Sequence, residues 1–255
     1  MKDPIIVIGL GELGSVFARG FLRLGYPVQG ITRDMDKTVI ANAIPNPVAV
    51  LIAVGEADIA ETLANLPQEW KNKVILIQNE LLPRDWLAAE IENPTVISVW
   101  FEKKKGMDSK VVLPSPIFGA NAKLIFDALS QIDLPSFILD SEDQLTYELV
   151  RKNLYILTTN VAGLEVGGNV EALANQHTDV MNKVANDVLD IQDWLTGSQN
   201  DRSQLMEGLL EATNGDLEHG CMGRSAPARL KRGISIADKA GLKVSTLRNI
   251  AKTHL

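Results

Sequence analysis

The first 140 residues alternate apolar runs of strand length with stretches whose apolar residues recur at helical spacing. Continuous runs such as 48–54 are typical of parallel strands that are covered on both faces. Strands are predicted at 4–8, 28–33, 48–54, 74–78, 95–101, 110–113 and 135–139. Helices are predicted at 13–24, 58–66, 83–91 and 121–130. Strands that alternate with helices in this way indicate right-handed βαβ units and a parallel sheet.

The pattern changes after residue 140, where no strand signal recurs and apolar residues keep a helical period. Helices are predicted at 141–165, 170–195, 203–211, 226–239 and 244–253. Gly167-Gly168-Asn169 separates the first two. The sequence therefore predicts an α/β fold in two domains, a sheet domain over residues 1–140 and an all-helical domain over residues 141–255.

A glycine-rich turn, Gly9-Leu10-Gly11-Glu12-Leu13-Gly14, joins the first predicted strand to the first predicted helix. Gly9 allows a sharp turn off the strand, Gly11 lets the backbone approach a pyrophosphate, and Gly14 lets the helix pack close to the strand. The phosphates would lie at the helix N-terminus, where unpaired N–H groups and the helix dipole favour an anion. Because a strand precedes it and a helix follows it, the motif predicts a Rossmann-type dinucleotide site built on these six residues.

The end of the second predicted strand bears on which dinucleotide binds. Folds that use NAD usually place an acidic residue there for the ribose 2′-hydroxyl, whereas this chain has Thr32 and Arg33, followed by Asp34. A guanidinium pairs two phosphate oxygens at once, which suits a 2′-phosphate. We therefore favour NADP(H), held by Thr32 and Arg33. The alternative is that Arg33 is a solvated loop residue and that Asp34 binds the ribose of NAD.

Composition narrows the class of protein. The chain has 255 residues, of which 45% are hydrophobic and 22% charged, as in ordinary globular proteins. The net charge of −7 argues against a nucleic-acid partner. The one cysteine, Cys221, excludes an internal disulfide and favours a reducing compartment. There is neither a signal-peptide pattern nor an apolar run of about 18 residues, so we expect a cytoplasmic protein without a membrane partner.

The candidate proton donor is Lys152, early in the first helix of the helical domain. Lys152 and Asn160 are eight residues apart, so they lie near one helical face with Ile156 between them. Partial burial would lower the pKa of such a lysine and fit it to protonate a carbonyl oxygen. The alternative is that Lys152 lies on the solvated face of the helix together with Arg151 and Asn153.

Taken together, these stretches resemble the ketopantoate reductase (2-dehydropantoate 2-reductase) family, within the 6-phosphogluconate dehydrogenase C-terminal-like superfamily. The resemblance covers most of the chain and rests on the glycine-rich turn, Val28-Gln-Gly-Ile-Thr-Arg33, Ile77-Gln-Asn79-Glu-Leu, Val150-Arg-Lys152 with Asn160, and Ala240-Gly-Leu-Lys-Val-Ser-Thr-Leu. It implies that Arg33 takes the NADPH 2′-phosphate and that Lys152 is the catalytic lysine. By the same resemblance, Asn79 lies between cofactor and substrate, and Asn160 helps to orient the substrate.

The chain also departs from the family pattern. Ile156 stands where the family has a second asparagine, and Glu80 replaces the glycine of the family's Q-N-G strand end. The family's substrate-contacting serine and glutamate have no clean match. Ser203 and Glu218 are the nearest candidates, with Asp216 as a rival to Glu218. These differences leave the identity of the substrate open.

A polar stretch near the C-terminus, 214–224, carries three glycines among acidic and basic residues. Functional groups often lie on such loops. One of the nearby cations could pair with a substrate carboxylate, the candidates being Arg224, Arg229, Lys231 and Arg232. The alternative is a solvated loop followed by the wet side of a helix. The three histidines show no metal-ligand spacing, so no metal is expected.

The function predicted from the sequence is that of an NADP-dependent oxidoreductase that reduces a small 2-oxo acid. Lys152 would be its general acid, with Asn160, Asn79 and Glu218 at the substrate. One alternative is another hydroxy-acid or imino-acid oxidoreductase on the same scaffold, and a second is a non-catalytic NADPH-binding regulator. The predicted helix 170–195 has apolar residues on more than one side, which fits either a homodimer interface or an intramolecular core.

Overall fold

A computed structural model describes residues 2–255 and divides the chain into two units, which meet in the sequence between Leu149 and Val150. The strands of the first unit are β1 (Ile5–Ile8), β2 (Val28–Ile31), β3 (Val50–Ile52), β4 (Val74–Leu76), β5 (Thr95–Ile97), β6 (Phe101–Glu102), β7 (Lys110–Val111), β8 (Ser115–Phe118) and β9 (Ser136–Ile138). Its helices are α1 (Glu12–Arg23), α2 (Lys37–Ala43), α3 (Ile59–Ala64), α4 (Pro83–Leu87) and α5 (Ala122–Ser130), with a 3₁₀ turn over Gln68–Lys73.

Seven of these strands form one sheet in the order β2-β1-β3-β4-β5-β8-β9. Pairing is parallel from β2 through β5, so that Ile6 of β1 lies opposite Gln29 on one side and Val50 on the other. β8 then pairs antiparallel with β5, and β9 runs parallel to β8. The central strands β1, β3 and β4 are buried throughout, as their uninterrupted apolar sequences indicated. The predicted α/β fold is confirmed.

Helix α1 covers one face of this sheet through the apolar stripe that its sequence predicted. Phe17 and Phe21 are fully buried in the main core cluster. On the same helix, Gly20 lies so close to α5 that a Cβ added there would be 2.6 Å from the carbonyl oxygen of Ala128. The close approach of the two helices holds α1 at a fixed depth over the sheet, which in turn fixes the position of the turn before it.

Several details of the sheet unit differ from the sequence-based prediction. The strand expected over 95–101 ends at Ile97, and the strand expected over 110–113 is β7, which pairs with β6 in a separate two-stranded sheet. β8 was not predicted, because Pro116 argues against a strand in the middle of a sheet. There the Pro116 carbonyl still accepts a hydrogen bond from the Ser98 backbone N–H, at 3.0 Å, which needs no N–H from the proline. Helix α2 was also not predicted.

The second unit is helical. Its elements are most of α6 (Glu142–Val166), followed by α7 (Val170–Gln176), α8 (Thr178–Thr196), α9 (Arg202–Gly215), α10 (Ala226–Ala240) and α11 (Ser245–His254). The single helix predicted over 170–195 is wrong, because His177 (φ −125°, ψ 31°) leaves the helical conformation between α7 and α8. No helix within residues 2–255 is long and apolar enough to cross a membrane.

Helix α6 runs across the division between the two units. It begins at Glu142, two residues after the sheet domain was expected to end, whereas the units divide eight residues further along the same helix. The N-terminal part of α6 therefore belongs to the sheet unit, and the part that carries Lys152 belongs to the helical unit.

Candidate functional site

The turn after β1 adopts the shape that a dinucleotide loop requires. Gly9 has a φ of +93°, and a Cβ there would lie 2.6 Å from the carbonyl oxygen of Ala53. A Cβ on Gly14 would lie 2.0 Å from the carbonyl oxygen of Gly9 itself. Both positions therefore require glycine, the first for its backbone conformation and the second for the contact of α1 with the turn.

Gly11 differs from these two glycines, because no atom lies within 4 Å of the position that its Cβ would take. It is the N-cap of α1, and no side chain caps that helix end. The backbone N–H groups of the first turn of α1 therefore lack a side-chain acceptor and lie beside open space, which is the arrangement that binds phosphate. This structure fits the pyrophosphate of a dinucleotide.

A cavity of about 540 Å³ lies beside this turn. Five of the predicted cofactor residues line it, namely Gly9, Leu10, Gly11, Thr32 and Arg33. The other lining residues are Ile8, Ile31, Met35, Lys37, Ala53, Val54, Gly55, Asp58, Glu61 and Thr62.

The remaining predicted cofactor residues lie outside that lining. Glu12 is exposed, and one of its carboxylate oxygens is 3.5 Å from Lys103 Nζ. Leu13 packs against the hydrophobic core, and Gly14 is buried beneath the turn. These residues shape the loop rather than the wall of the cavity.

Charged side chains lie at the end of the cavity where β2 finishes. Arg33 Nη2 donates to Asp58 Oδ2 at 2.8 Å, and the Arg33 side chain is 89% exposed. An exposed pair of this kind contributes little to stability, so the guanidinium can exchange partners at small cost. Lys37, in the first turn of α2, lines the same cavity, whereas Asp34 does not. Sequence reasoning missed Lys37 and Asp58, because neither belongs to a motif and only folding brings them beside Arg33.

Asn79 follows β4 at the carboxyl edge of the sheet. The side chain of the preceding Gln78 donates to the carbonyl of Ile52 at 2.7 Å, which ties the end of β4 to β3. Asn79 Nδ2 lies 3.5 Å from Glu56 Oε1. Glu80 has a φ of +66°, the left-handed conformation that glycine adopts most readily. A residue with a side chain is strained in this conformation, so Glu80 marks a local strain at the carboxyl edge of the sheet.

Lys152 lies on α6 in the helical unit, and its side chain is only partly exposed. Burial, the nearby guanidinium of Arg229 and then that of Arg151 lower the pKa of Lys152 from its ordinary 10.5 to about 7. Its ammonium lies 5.9 Å from the ring centroid of Tyr155. A lysine with a pKa of about 7 is half protonated near neutral pH, which suits a general acid.

The neighbours of Lys152 do not form a solvated face. Arg151 is buried, with Nε donating to the Gly208 carbonyl at 3.2 Å and Nη2 to Glu211 at 2.8 Å. Asn153 is buried as well and donates to Gln192 Oε1 at 3.1 Å. The alternative that placed Arg151, Lys152 and Asn153 together on a solvent-exposed face of the helix is wrong, because Arg151 and Asn153 are buried and bind α6 to α9 and α8.

Asn160 lies two turns after Lys152 on α6 and is 8% exposed. Its Oδ1 accepts a hydrogen bond from Arg229 Nη1 at 3.2 Å. A Cβ on Gly223 would lie 3.7 Å from the same oxygen, so the loop before α10 passes close to this amide. The structure thus brings together Lys152, Asn160 and Arg229, although Lys152 and Arg229 are 77 positions apart in the sequence.

The loop between α9 and α10 is tied by backbone contacts to the segment between α6 and α7. Gly220 forms an isolated bridge with Asn169, and the Cys221 N–H donates to the Gly168 carbonyl at 3.0 Å. Cys221 is buried against Gly163, where an added Cβ would come within 2.8 Å of the cysteine Cβ. Burial raises the pKa of the Cys221 thiol to about 11, which leaves it protonated at neutral pH.

The same loop places His219 beside α6. The rings of His219 and Tyr155 are 6.4 Å apart, and His219 Nδ1 is 3.6 Å from an oxygen of the buried Asp216. Glu218 and Ser203, the nearest sequence candidates for substrate contacts, are both exposed. Within residues 2–255, no group of three or more His, Cys, Asp or Glu side chains is arranged to hold a metal ion.

Comparison with known proteins supports this architecture. No protein-family model matches the chain, and no curated protein matches it by sequence. Solved structures do match. A probable 2-dehydropantoate 2-reductase from Bacillus subtilis is 14% identical with a TM-score of 0.71, covering 98% of both chains. A complex of D-mandelate dehydrogenase with NADH and anilino(oxo)acetate is 13% identical with a TM-score of 0.68, covering 97% of this chain and 96% of the other.

A dimeric ketopantoate reductase from Staphylococcus aureus is also similar, at 16% identity and a TM-score of 0.62, over 98% of this chain and 96% of the other. At such identities the likeness establishes the fold and leaves the activity to be argued from the site. The resemblance that the motifs predicted is confirmed at that level: over almost its whole length, this chain shares its fold with 2-dehydropantoate 2-reductases.

Proposed function

We propose that this protein is an NADP-dependent oxidoreductase that reduces the carbonyl of a small 2-oxo acid. The observation that carries the proposal is Lys152, a partly buried lysine whose pKa is lowered to about 7 beside Asn160 and Arg229. The pKa of an ordinary surface lysine is not lowered in this way, and a strongly lowered pKa is typical of lysines in functional sites. The glycine turn and its cavity supply the second half of the argument, since they fit a dinucleotide.

Bound NADP(H) would supply the hydride. Gly9, Gly11 and the first turn of α1 would hold the pyrophosphate, because the space over Gly11 is open and the helix end has no side-chain cap. Arg33 would bind the 2′-phosphate by leaving its exposed partner Asp58, and Lys37 would add a second positive charge at the same end of the cavity.

On the substrate side, Lys152 would donate its proton to the carbonyl oxygen as the carbon is reduced. Asn160 would orient the substrate in the helical unit, and Asn79, at the carboxyl edge of the sheet, would orient the nicotinamide. Glu218 keeps its sequence-based assignment as a candidate substrate contact. Glu80 and Ile156, which replace the family's glycine and second asparagine, would alter the shape of the substrate pocket and argue for a substrate other than ketopantoate.

Two features of the comparisons bear on the choice of substrate and cofactor. The named activities of the structural neighbours, 2-dehydropantoate 2-reductase and D-mandelate dehydrogenase, both concern a 2-oxo acid or its 2-hydroxy counterpart. The D-mandelate dehydrogenase complexes contain NADH. A second candidate is therefore an NAD-dependent 2-hydroxy-acid dehydrogenase, favoured by the Asp58 carboxylate that already pairs with Arg33.

The test is oxidation of NADPH and of NADH with a panel of 2-oxo acids that includes ketopantoate and phenylglyoxylate. We expect Lys152→Ala to lower kcat by about 10²–10⁴, the usual contribution of a positioned acid. Lys183→Ala, which removes an exposed lysine from α8, is the matched control and should leave the rate unchanged. Equal rates in wild type and Lys152→Ala would refute the general-acid role. Cofactor binding without turnover of any oxo or imino acid would favour the regulator instead.

Oligomeric state and location follow from the same proposal. The dimeric state of the S. aureus neighbour makes a homodimer the assembly to test for, by light scattering on the purified chain. The single buried, protonated thiol of Cys221 is compatible with a reducing compartment such as the cytoplasm.

A further inference from the structure

Four cations follow the polar loop of the helical unit, and the structure separates them. Arg224 and Lys231 are exposed, whereas Arg229 and Arg232 are partly buried. Arg229 is distinguished by its guanidinium, which donates a hydrogen bond to Asn160 on α6. Because Asn160 is itself buried and belongs to the same helix as Lys152, this hydrogen bond holds a second positive charge on the lysine's side of the unit. The guanidinium of Arg229 is also close enough to Lys152 to contribute to the lowering of the lysine's pKa.

The position of Arg229 on its helix adds to this. Arg229 lies in the first turn of α10, a helix of 15 residues whose N-cap, Ser225, makes no side-chain capping bond. The N-terminal end of a helix carries partial positive charge. Arg229 thus brings a positive charge from the first turn of α10 into the neighbourhood of Lys152. Two neighbouring cations repel one another, and a small anion bound between them removes that repulsion.

We propose that Arg229 binds the carboxylate of the substrate, that Asn160 holds the guanidinium in the required orientation, and that Lys152 faces the substrate's oxo group. This inference rests on the proposed function and deepens it, since it names the residue that recognises the carboxylate next to the carbonyl. A planar guanidinium can pair both oxygens of that carboxylate at once, which a lysine cannot do. Asn160 is then a positioning residue, and Arg229 is the residue that selects the substrate class.

A measurable consequence comes from the charged groups around Lys152. Arg229 faces it from α10, Arg151 adjoins it on α6, and Glu148 lies one turn earlier on the same helix. Beyond the Tyr155 ring, the loop contributes His219, which is paired with Asp216. Removing the charge of Arg229 alone takes away a positive field, so the pKa of Lys152 should rise. Since the protonated lysine is the active form in reduction, activity should then persist to higher pH.

The experiment compares Arg229→Gln, Arg229→Lys and the control Lys231→Gln, which removes the same charge from an exposed position on the same helix. For Arg229→Gln we expect KM for the 2-oxo acid to rise about 10–100-fold, the range for a lost hydrogen bond to a charged group, with a much smaller change in kcat. The alkaline limb of its pH profile should move upward. Arg229→Lys should keep the wild-type alkaline limb, because it retains the positive charge. Its KM should still be raised, because an ammonium cannot pair both carboxylate oxygens as the planar guanidinium does. Lys231→Gln should match wild type in both.

Two further measurements keep the inference separable from the proposed function. Calorimetry with oxamate, a non-reacting mimic of a 2-oxo acid, reports carboxylate binding even if no substrate is turned over. Oxamate that binds wild type and Lys231→Gln but is weakened by both Arg229 variants supports Arg229, whatever the activity. Equal oxamate affinity in Arg229→Lys and wild type, or no oxamate binding to wild type in the presence of NADPH, overturns it. Thermal unfolding and NADPH affinity, unchanged in Arg229→Lys, show that the fold is intact.

Discussion

Replacing Gly11 with alanine separates the cofactor site from the stability of the fold. Gly11 has φ −71° and ψ −163°, a conformation that alanine adopts without strain. Nothing lies within 4 Å of the new methyl group. The only thing that the methyl would obstruct is a ligand lying against the turn. We therefore expect Gly11→Ala to fold normally and to bind NADPH poorly.

The expected sizes follow from these facts. A glycine-to-alanine change at a compatible position stabilises by about 0.4–1 kcal/mol, because the unfolded chain loses freedom. For a chain of this length, 1 kcal/mol moves Tm by roughly 2–4 °C, so the ligand-free variant should melt at or slightly above the wild-type temperature. A methyl group between the backbone and the pyrophosphate should raise the NADPH Kd at least about tenfold, or about 1.4 kcal/mol.

The assay is thermal unfolding with and without NADPH, together with a fluorescence titration of NADPH. At 100 times its Kd, the ligand stabilises wild type by about 2.7 kcal/mol, and at the same concentration it should stabilise the variant by about half as much. Gly220→Ala is the control, because that glycine also has open space at its Cβ position but lies in the helical unit. Unchanged NADPH affinity in Gly11→Ala would refute the assignment of the phosphate site. A large loss of stability in the ligand-free variant would refute the finding that the space at the Gly11 Cβ position is open.

Three other changes test separate parts of the structure. The pKa of Lys152 is about 7 in the folded protein and ordinarily 10.5, so the unfolded chain binds more protons between these values and stability should rise with pH across that window. Lys152→Met should therefore be more stable relative to wild type at pH 6 than at pH 10 in urea unfolding, and an equal difference at both would contradict the low pKa. Glu80→Gly relieves a left-handed residue (φ +66°) and should stabilise by about 1 kcal/mol. Asp133→Gly (φ +59°) serves as its control for strain remote from the candidate site. Gly163→Ala places a methyl group within 2.8 Å of the Cys221 Cβ. This overpacking should destabilise the protein by about 1–3 kcal/mol and expose the thiol to alkylating reagents. A thiol that stays unreactive would show that the loop can move aside to make room for the methyl group.

The fold was predictable where the sequence pattern had one interpretation. Uninterrupted apolar runs identified β1, β3 and β4, and the glycine spacing identified the turn, because each of these depends on local properties of the chain. Prediction failed where the outcome depends on distant partners. Pro116 sits in β8, where its carbonyl accepts a hydrogen bond from the Ser98 N–H, a bond that does not need the N–H that proline lacks. The bend at His177 is set by how α7 and α8 pack, which the helical period of the sequence does not encode.

The candidate site shows the same division. Spacing placed Lys152 and Asn160 near one helical face but left open that Lys152 is solvated, and the resemblance to a known family was needed to prefer Lys152. Spacing was not enough to distinguish Arg229 from three other cations within nine residues, because only the fold aims one of them at Asn160. The buried anchors Arg151 and Asn153 read as solvated from sequence, since charged and amide side chains are usually exposed. Their hydrogen bonds to α9 and α8 are visible only in the folded unit.

The loop from Asp216 to Cys221 is tied to the rest of the helical unit by its own backbone hydrogen bonds. Val170 N–H donates to the His219 carbonyl at 2.9 Å, Glu171 N–H to the Leu217 carbonyl at 3.2 Å, and Cys221 closes the loop against Gly163. Ordering a residue's backbone costs about 1–2 kcal/mol in conformational entropy. An anion that binds beside this loop would therefore not have to supply that cost at these positions, and its association should not wait for the loop to become ordered.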